Sequence, residues 1–254
     1  MRSTVLLSIL VTCLVGPVVG CASEAGDAEP AGDVAEVNKP VLTDVGAFAL
    51  EDGRIIAAPA KVAKLVGAIK KPKEGKLKCL PTATFTVLGR GGEKIGSLAM
   101  LCNPEEAESG TITAQLDVGA EGGATRSSIV DLDLRVVDAV RTAPLAVGDL
   151  VFGVDKLEMA RGLGPAISTP SLANTARAID ALGPDQVPVA GAALKCLPDL
   201  VVTLKRGTKK VASVNVCGDE GTLDAPGAKV SGTIGKIDSA DLKRLLEQLS
   251  QDDG

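Results

Sequence analysis

The sequence of 254 residues contains no histidine, no tryptophan and no tyrosine, and only three phenylalanines. The absence of histidine removes the commonest general base and a leading ligand of transition metals. The scarcity of aromatic rings weighs against stacking on sugars or bases and against aromatic interface anchors. The formal net charge is −5, and an acidic chain repels phosphate backbones, so nucleic acid is not expected as a partner.

The first 20 residues have the layout of a secretory signal peptide. A single arginine, Arg2, precedes a short apolar stretch over residues 5–15, and small residues follow. The stretch is shorter than the roughly 20 apolar residues that a membrane-spanning helix needs. We therefore predict that the protein is exported, and that residues 1–20 are removed.

The string Val18-Val19-Gly20-Cys21 resembles the lipobox of bacterial lipoproteins. The resemblance implies that Cys21 is lipidated, becomes the mature amino terminus and anchors the protein in a membrane of the bacterial envelope. Ser23 provides no aspartate-type retention signal for the inner membrane, which favours the outer membrane or cell surface. The alternative is an ordinary signal peptide that is cleavable nearby, for example after Ala22.

Residues 21–40 connect this predicted anchor to the rest of the chain. After Cys21 they consist mainly of alanine, glycine, proline and acidic residues without apolar periodicity. Such a composition buries too little apolar surface to offset the entropy of ordering. We predict a flexible tether.

The pentapeptide LKCLP occurs twice, at residues 77–81 and 194–198, and each copy opens a predicted hairpin that ends in a second cysteine. In an exported protein, an even number of cysteines predicts disulfides. In each copy the midpoint between the two cysteines falls between an arginine and a glycine. Residues equidistant from a hairpin turn face each other across the strands. The predicted disulfides are Cys79–Cys102 and Cys196–Cys217, each between direct cross-strand neighbours.

The second hairpin departs from simple alternation. Val214 and Val216 have the opposite parity to the residues that this register places on the cysteine face. Either the strand contains a β-bulge or it is apolar on both faces. No two of the four cysteines have CxxC spacing, so a metal or redox site is not expected.

A helix is predicted before each hairpin. Over residues 59–70 the apolar positions recur at helical spacing. In the second copy, Thr169 is predicted to cap a helix that begins at Pro170 and ends at Gly183.

The internal duplication extends further along the chain. Residues 45–57 resemble residues 147–160, and SGTI occurs at 109–112 and 231–234. The first copy is then predicted to continue as a strand over 130–136. The second is predicted to end in a helix capped by Ser239, whose apolar stripe comprises Leu242, Leu245, Leu246 and Leu249.

These patterns predict an α+β fold of two tandem modules, over residues 41–142 and 143–254. Each module is expected to pack a helix on a small antiparallel sheet that includes a disulfide-stapled hairpin. These patterns are compatible with one continuous sheet shared by the two modules and with two separate sheets.

Three further clusters are interpreted as solvent-exposed features. The acidic residues after each hairpin, Glu105, Glu106 and Glu108 and then Asp219 and Glu220, lack EF-hand spacing and indicate solvated loops. A basic run is interpreted as a linker, with anionic lipid or an acidic partner as the alternative; it comprises Lys70, Lys71, Lys73, Lys76 and Lys78. Residues 89–92 are interpreted as a hairpin turn.

These sequence features favour a non-catalytic cell-envelope lipoprotein with a binding or structural role, which binds another envelope protein or helps to organise the envelope. No catalytic residues, metal or cofactor are expected. One alternative is a secreted inhibitor of an extracellular or periplasmic enzyme. Tandem modules with one disulfide each are similar in layout to the beta-lactamase inhibitory proteins, although no motif is shared. Another alternative is a hydrolase that works without histidine.

Overall fold

The structure is a computed structural model that describes residues 42, 44–76, 80–100, 110–119, 125–191 and 194–252. The predicted signal peptide, Cys21, the tether, Lys78, Cys79, Cys102 and the acidic residues 105–108 all lie outside these ranges. The described part has the predicted α+β character, with thirteen strands and five α-helices. Two antiparallel sheets carry most of it.

The first sheet has seven strands. In chain order its region contains β1 (Val45–Ala49), β2 (Ile55–Ile56), α1 (Pro59–Ala68), β3 (Ile69–Glu74), β4 (Ala83–Gly89), β5 (Lys94–Met100), β6 (Thr111–Gly119), β7 (Thr125–Asp133) and α2 (Leu134–Thr142). The strand order is β2-β1-β4-β5-β6-β7-β3. In β4 the alternation predicted from sequence is present, because Phe85 and Val87 are buried between half-buried neighbours.

The second sheet has six strands. Its region contains α3 (Val147–Val151), β8 (Lys156–Arg161), β9 (Ala166–Thr169), α4 (Leu172–Leu182), β10 (Leu200–Arg206), β11 (Lys209–Cys217), β12 (Glu220–Ala225), β13 (Val230–Ile234) and α5 (Ser239–Asp252). A short 3₁₀ helix, Pro226–Ala228, connects β12 to β13. The strand order is β13-β12-β11-β10-β8-β9.

We call residues 45–142 the first half and residues 147–252 the second half. Each half has its own sheet and its own hydrophobic core, so the halves do not share one sheet. By backbone contacts, Val37–Gly254 form one compact unit. The boundary predicted between residues 142 and 143 stays a prediction.

The two halves share one order of elements. Apart from α3, each consists of a two-stranded hairpin, a helix, four strands that follow one another in the sheet, and a final helix. The extra strand β3 pairs with β7, the last strand of the first half. At the matching place in the second half, Val189 forms a single bridge to Thr233 of β13.

Both predicted helices before the hairpins are present, but the first ends earlier than predicted and the second begins later. Helix α1 stops at Ala68, and the chain continues directly into β3 from Ile69. Helix α4 is capped by Ser171, whose side chain accepts from the Asn174 amide, so the predicted cap at Thr169 is wrong. Gly183 ends α4 in the left-handed conformation, as its type favours.

The first half ends in a helix, which corrects the strand predicted over residues 130–136. Strand β7 stops at Asp133, whose carboxylate accepts from the Arg135 amide and caps α2. Val130 and Leu132 belong to the strand, while Leu134 begins the helix. The alternation of apolar residues that predicted a strand continues through residue 136, although the N-cap at Asp133 has already changed the backbone from strand to helix.

The sequence matches between the copies do not coincide with equivalent elements. Residues 45–49 form a strand, whereas their proposed match begins with helix α3. The first SGTI leads into β6, and the second lies in β13. Gly110 occupies a turn with φ of 75°, while Gly232 lies where a Cβ would meet the Val189 carbonyl at 2.7 Å.

The predicted terminal helix packs on the core of the second half. Four leucines of α5 are almost fully buried, namely Leu242, Leu245, Leu246 and Leu249. The cap is Asp238, which accepts from the Asp241 amide, and the predicted cap Ser239 is the first helical residue.

Both hairpins form, but their registers differ from the predicted ones. In the first, Phe85 pairs with Leu98, two residues from the predicted alignment. In the second, Val202 pairs with Val214. A β-bulge leaves Val211 unpaired and returns Val214 and Val216 to the buried face, which confirms the bulge alternative.

Candidate functional site

The two halves are joined at a buried carboxylate, that of Asp149 in α3. One of its oxygens accepts from the Ala57 and Ala58 amides of the first half at 2.7 and 2.8 Å. The other accepts from the Ala146 amide at 2.9 Å and from the Lys61 ammonium group. Its side chain is only 1% exposed. We call this group of contacts the Asp149 clasp.

The Asp149 clasp is suited to a structural role. A carboxylate has about four lone-pair positions, and the four donors use them. The Lys61 ammonium also donates to the Pro144 carbonyl at 2.6 Å, so it too is held in place. This arrangement holds the amino-terminal end of α1 against α3.

A further hydrogen bond crosses the same junction, since the Ala60 amide of the first half donates to the carboxylate of Asp185 in the second half at 2.8 Å. Within the second half, the Gly148 amide donates to the Pro184 carbonyl at 2.8 Å. A Cβ on Gly148 would lie 3.1 Å from both the Ala58 Cα and the Pro184 carbonyl oxygen, which is tighter than most Cβ contacts, so the backbones approach closely here. Asp149 is not among the residues predicted from the sequence. Its signal is a lone acid in the apolar string VGDLV.

The second hairpin carries the predicted disulfide, Cys196–Cys217, with the two Cα atoms 6.4 Å apart. The cysteines are not direct cross-strand neighbours, because Cys217 ends β11 while Cys196 lies four residues before β10. The chain bends between Cys196 and Asp199 and brings the two sulfurs together. The corresponding Cys79–Cys102 pair lies outside the described residues and stays a prediction.

An exposed leucine follows the cysteine in both LKCLP copies. Leu80 is 85% exposed and Leu197 is 86% exposed. In the second half a third leucine, Leu163, is 90% exposed in the β8–β9 turn. That turn lies against the stapled segment, since the Gly162 amide donates to the Asp199 carbonyl at 3.0 Å. We call Leu163, Leu197 and the adjoining disulfide the stapled tip.

The remaining predicted clusters lie in different elements of the structure. The basic run is not a linker, because Ile69–Glu74 form β3 at the edge of the first sheet. Lysine and proline on an edge strand discourage pairing with another chain. Asp219 occupies a tight turn and Glu220 begins β12, so no acidic loop follows this hairpin. Residues 89–92 form the predicted hairpin turn, with Gly92 at a φ of 86°.

The described residues contain no group of three or more cysteine, aspartate or glutamate side chains arranged to hold a metal ion. The clearest charged pair outside the clasp joins α4 to α5, where Arg177 donates two hydrogen bonds to Asp241 at 2.8 and 2.6 Å. The hydrogen bond from Arg177 lowers the pKa of Asp241, and the same bond raises the pKa of Arg177. The Arg54 backbone amide, followed by its side chain, lowers the pKa of Asp52 at the surface.

Comparisons with known proteins found no match. No protein-family model matches this sequence, no curated protein matches it, and no solved structure matches its fold. Within the described ranges, no helix has both the length and the apolar character needed to cross a membrane.

Proposed function

We propose that the protein is a non-catalytic, lipid-anchored protein of the bacterial cell envelope that binds another envelope protein through the stapled tip. The observation that carries this proposal is the exposure of Leu163 and Leu197 on adjoining turns beside a disulfide. Leu80 holds the position equivalent to Leu197 in the other LKCLP copy.

The stapled tip favours binding for two physical reasons. Full burial of one leucine side chain contributes about 1.5–3 kcal/mol, so two leucines provide a substantial apolar anchor. The disulfide restrains the backbone beside Leu197, and a restrained segment loses less conformational entropy when it binds.

The test is capture of envelope proteins on the immobilised protein, compared with a Leu163→Ser/Leu197→Ser variant. The expected result is that a specific partner binds the parent and is lost from the variant. Leu172→Ser is the matched control, because Leu172 is also exposed, at 65%, but begins helix α4. Capture that survives the tip substitutions would argue against this surface.

The proposed anchor is tested separately. Cys21→Ala removes the thiol that the lipobox resemblance assigns to the lipid, and should move the protein from the membrane to the soluble fraction. A variant that fractionates like the parent would contradict lipidation at Cys21, without bearing on the stapled tip.

We further propose that the two halves descend from one duplicated module. The shared order of elements supports this, and the Val189–Thr233 bridge occupies the place that β3 fills in the first half. The repeated LKCLP string falls at the same point of both copies, immediately before the strand that opens the central hairpin.

A further inference from the structure

A cleft of about 660 Å³ lies beside α1 and α2 of the first half, and Asp185 of the second half also lines it. This volume is within the range of roughly 300–1,000 Å³ that is typical of small-molecule sites. Small apolar residues form much of its lining, among them Gly67, Ala68, Ala139 and Val140. We call it the α1–α2 cleft.

The charges around the cleft are predominantly positive, although the protein as a whole is acidic. Four cationic side chains line it, against two acidic ones. Lys61 is committed to Asp149. The side chains of Lys64, Lys70 and Arg135 are exposed and form no ion pair with any residue that the structure describes.

The two acidic residues of the cleft are held by helix amino termini. Asp133 accepts from the Arg135 amide at the start of α2, and Asp185 accepts from the Ala60 amide at the start of α1. Each carboxylate is therefore partly compensated by a backbone donor. Lys64, Lys70 and Arg135 therefore determine most of the charge that a ligand would meet.

We propose that the α1–α2 cleft binds a single-chain amphiphile with an anionic head group, such as a fatty-acid carboxylate. The apolar lining would cover the hydrocarbon chain, and Lys64, Lys70 and Arg135 would bind the head group. An apolar cleft with a locally positive rim, on a protein that is acidic as a whole, favours a ligand with an apolar chain and an anionic head group. The proposal is independent of the stapled tip.

Gly67 provides a sharp test because it lies on the cleft side of α1 with no atom within 4 Å of the place where a Cβ would lie. Gly67→Leu should occupy part of the cavity. It should also favour the helix, since glycine is a poorer helix former than leucine. The variant should therefore fold at least as well as the parent and bind the amphiphile more weakly.

Binding would be measured by isothermal titration calorimetry on the full folded protein, with decanoate below its micelle concentration as the probe. Octyl glucoside is the control with an alkyl chain but no charge, and acetate is the control with a carboxylate but no long alkyl chain. We expect saturable decanoate binding that exceeds both. A Lys64→Gln/Lys70→Gln/Arg135→Gln variant should weaken it by about tenfold, because each exposed ion pair contributes modestly.

Lys73→Gln is the matched control, because Lys73 is an exposed lysine of β3 that does not line the cleft. Its decanoate affinity should equal that of the parent. Unchanged affinity in Gly67→Leu or in the triple variant would overturn the proposal. So would an absence of decanoate binding, or binding of acetate or octyl glucoside that equals that of decanoate.

Discussion

The two halves share an order of elements but close their cores differently. Helix α2 of the first half has nine residues and buries two valines, Val137 and Val140. Helix α5 of the second half has fourteen residues and buries four leucines. The α1–α2 cleft lies beside the shorter helix. The comparison teaches that the same order of elements can be completed by last helices that bury very different numbers of apolar side chains.

The largest expected effect comes from removing the helix that seals the second core. Truncation after Asp238 removes four buried leucines, worth about 6–12 kcal/mol in total, against a typical net stability of 5–15 kcal/mol. We expect the cooperative thermal transition to be lost, or the protein to aggregate. Far-ultraviolet circular dichroism is the suitable measurement, since the chain has neither tryptophan nor tyrosine.

The control for that experiment removes only residues 251–254, which follow the leucine stripe. It should preserve the transition, because chain ends beyond a docked segment contribute little. An unchanged melt after the longer truncation would contradict the role of α5 in sealing the second half.

A second, smaller effect is expected at the junction between the halves. Asp149→Asn removes the partner of Lys61 and turns an amide NH₂ toward groups that are themselves donors. Breaking a buried ion pair typically costs about 3–5 kcal/mol. Urea denaturation should show this loss, and we expect the transition to broaden if the halves begin to unfold separately.

Asp185→Asn is the matched control for the junction. Asp185 is exposed and accepts one helix amide, a task that asparagine performs about as well as aspartate. Equal stability losses in the two variants would show that the Asp149 clasp has no special importance.

The sequence predicted elements better than it predicted their partners. The stripe of Leu242–Leu249 and the alternation around Phe85 are local patterns, and both appear where expected. The strand predicted through Leu134 failed because alternation alone does not reveal a cap at Asp133. Hairpin registers failed because the centre of each turn lies later in the chain than the predicted midpoint, and a bulge then adds one further residue of shift.

The candidate sites were less predictable, because they depend on residues far apart in the chain. Asp149 and Lys61 are 88 residues apart, and no periodicity links them. The disulfide Cys196–Cys217 was predicted correctly even though its register was not. A bend between Cys196 and Asp199 compensates for the shift, and the sequence gives no measure of such a bend.

A third prediction concerns the disulfides, of which each half is expected to contain one. Peptide mapping without reduction should link Cys79 to Cys102 as well as Cys196 to Cys217. Replacing either pair by serine should cost roughly 3 kcal/mol, because loops of this size have similar closure entropy. A peptide that joins Cys79 to a cysteine of the second half would refute the common plan.

The smallest expected effect concerns the charged pair that fastens α5 to α4. Arg177 lowers the pKa of Asp241 in the folded protein, so the pair stabilises the fold when Asp241 is ionised. That contribution is fully present above the ordinary aspartate pKa of about 3.9. It is lost as the pH falls through the lower pKa of the folded state. Arg177→Met should therefore lower the melting temperature slightly at pH 7.

The pH dependence distinguishes this charged pair from a packing effect of the arginine stem. The difference in melting temperature between parent and Arg177→Met should shrink as the pH falls through the lowered pKa of Asp241, because the carboxyl then becomes neutral in both folded proteins. Lys243→Met is the control on α5, since the contact of Lys243 with Asp199 is longer, at 3.5 Å, and exposed. It should change the melting temperature less at pH 7. A difference for Arg177→Met that persists undiminished in acid would mean that packing, and not charge, holds the two helices of the second half together.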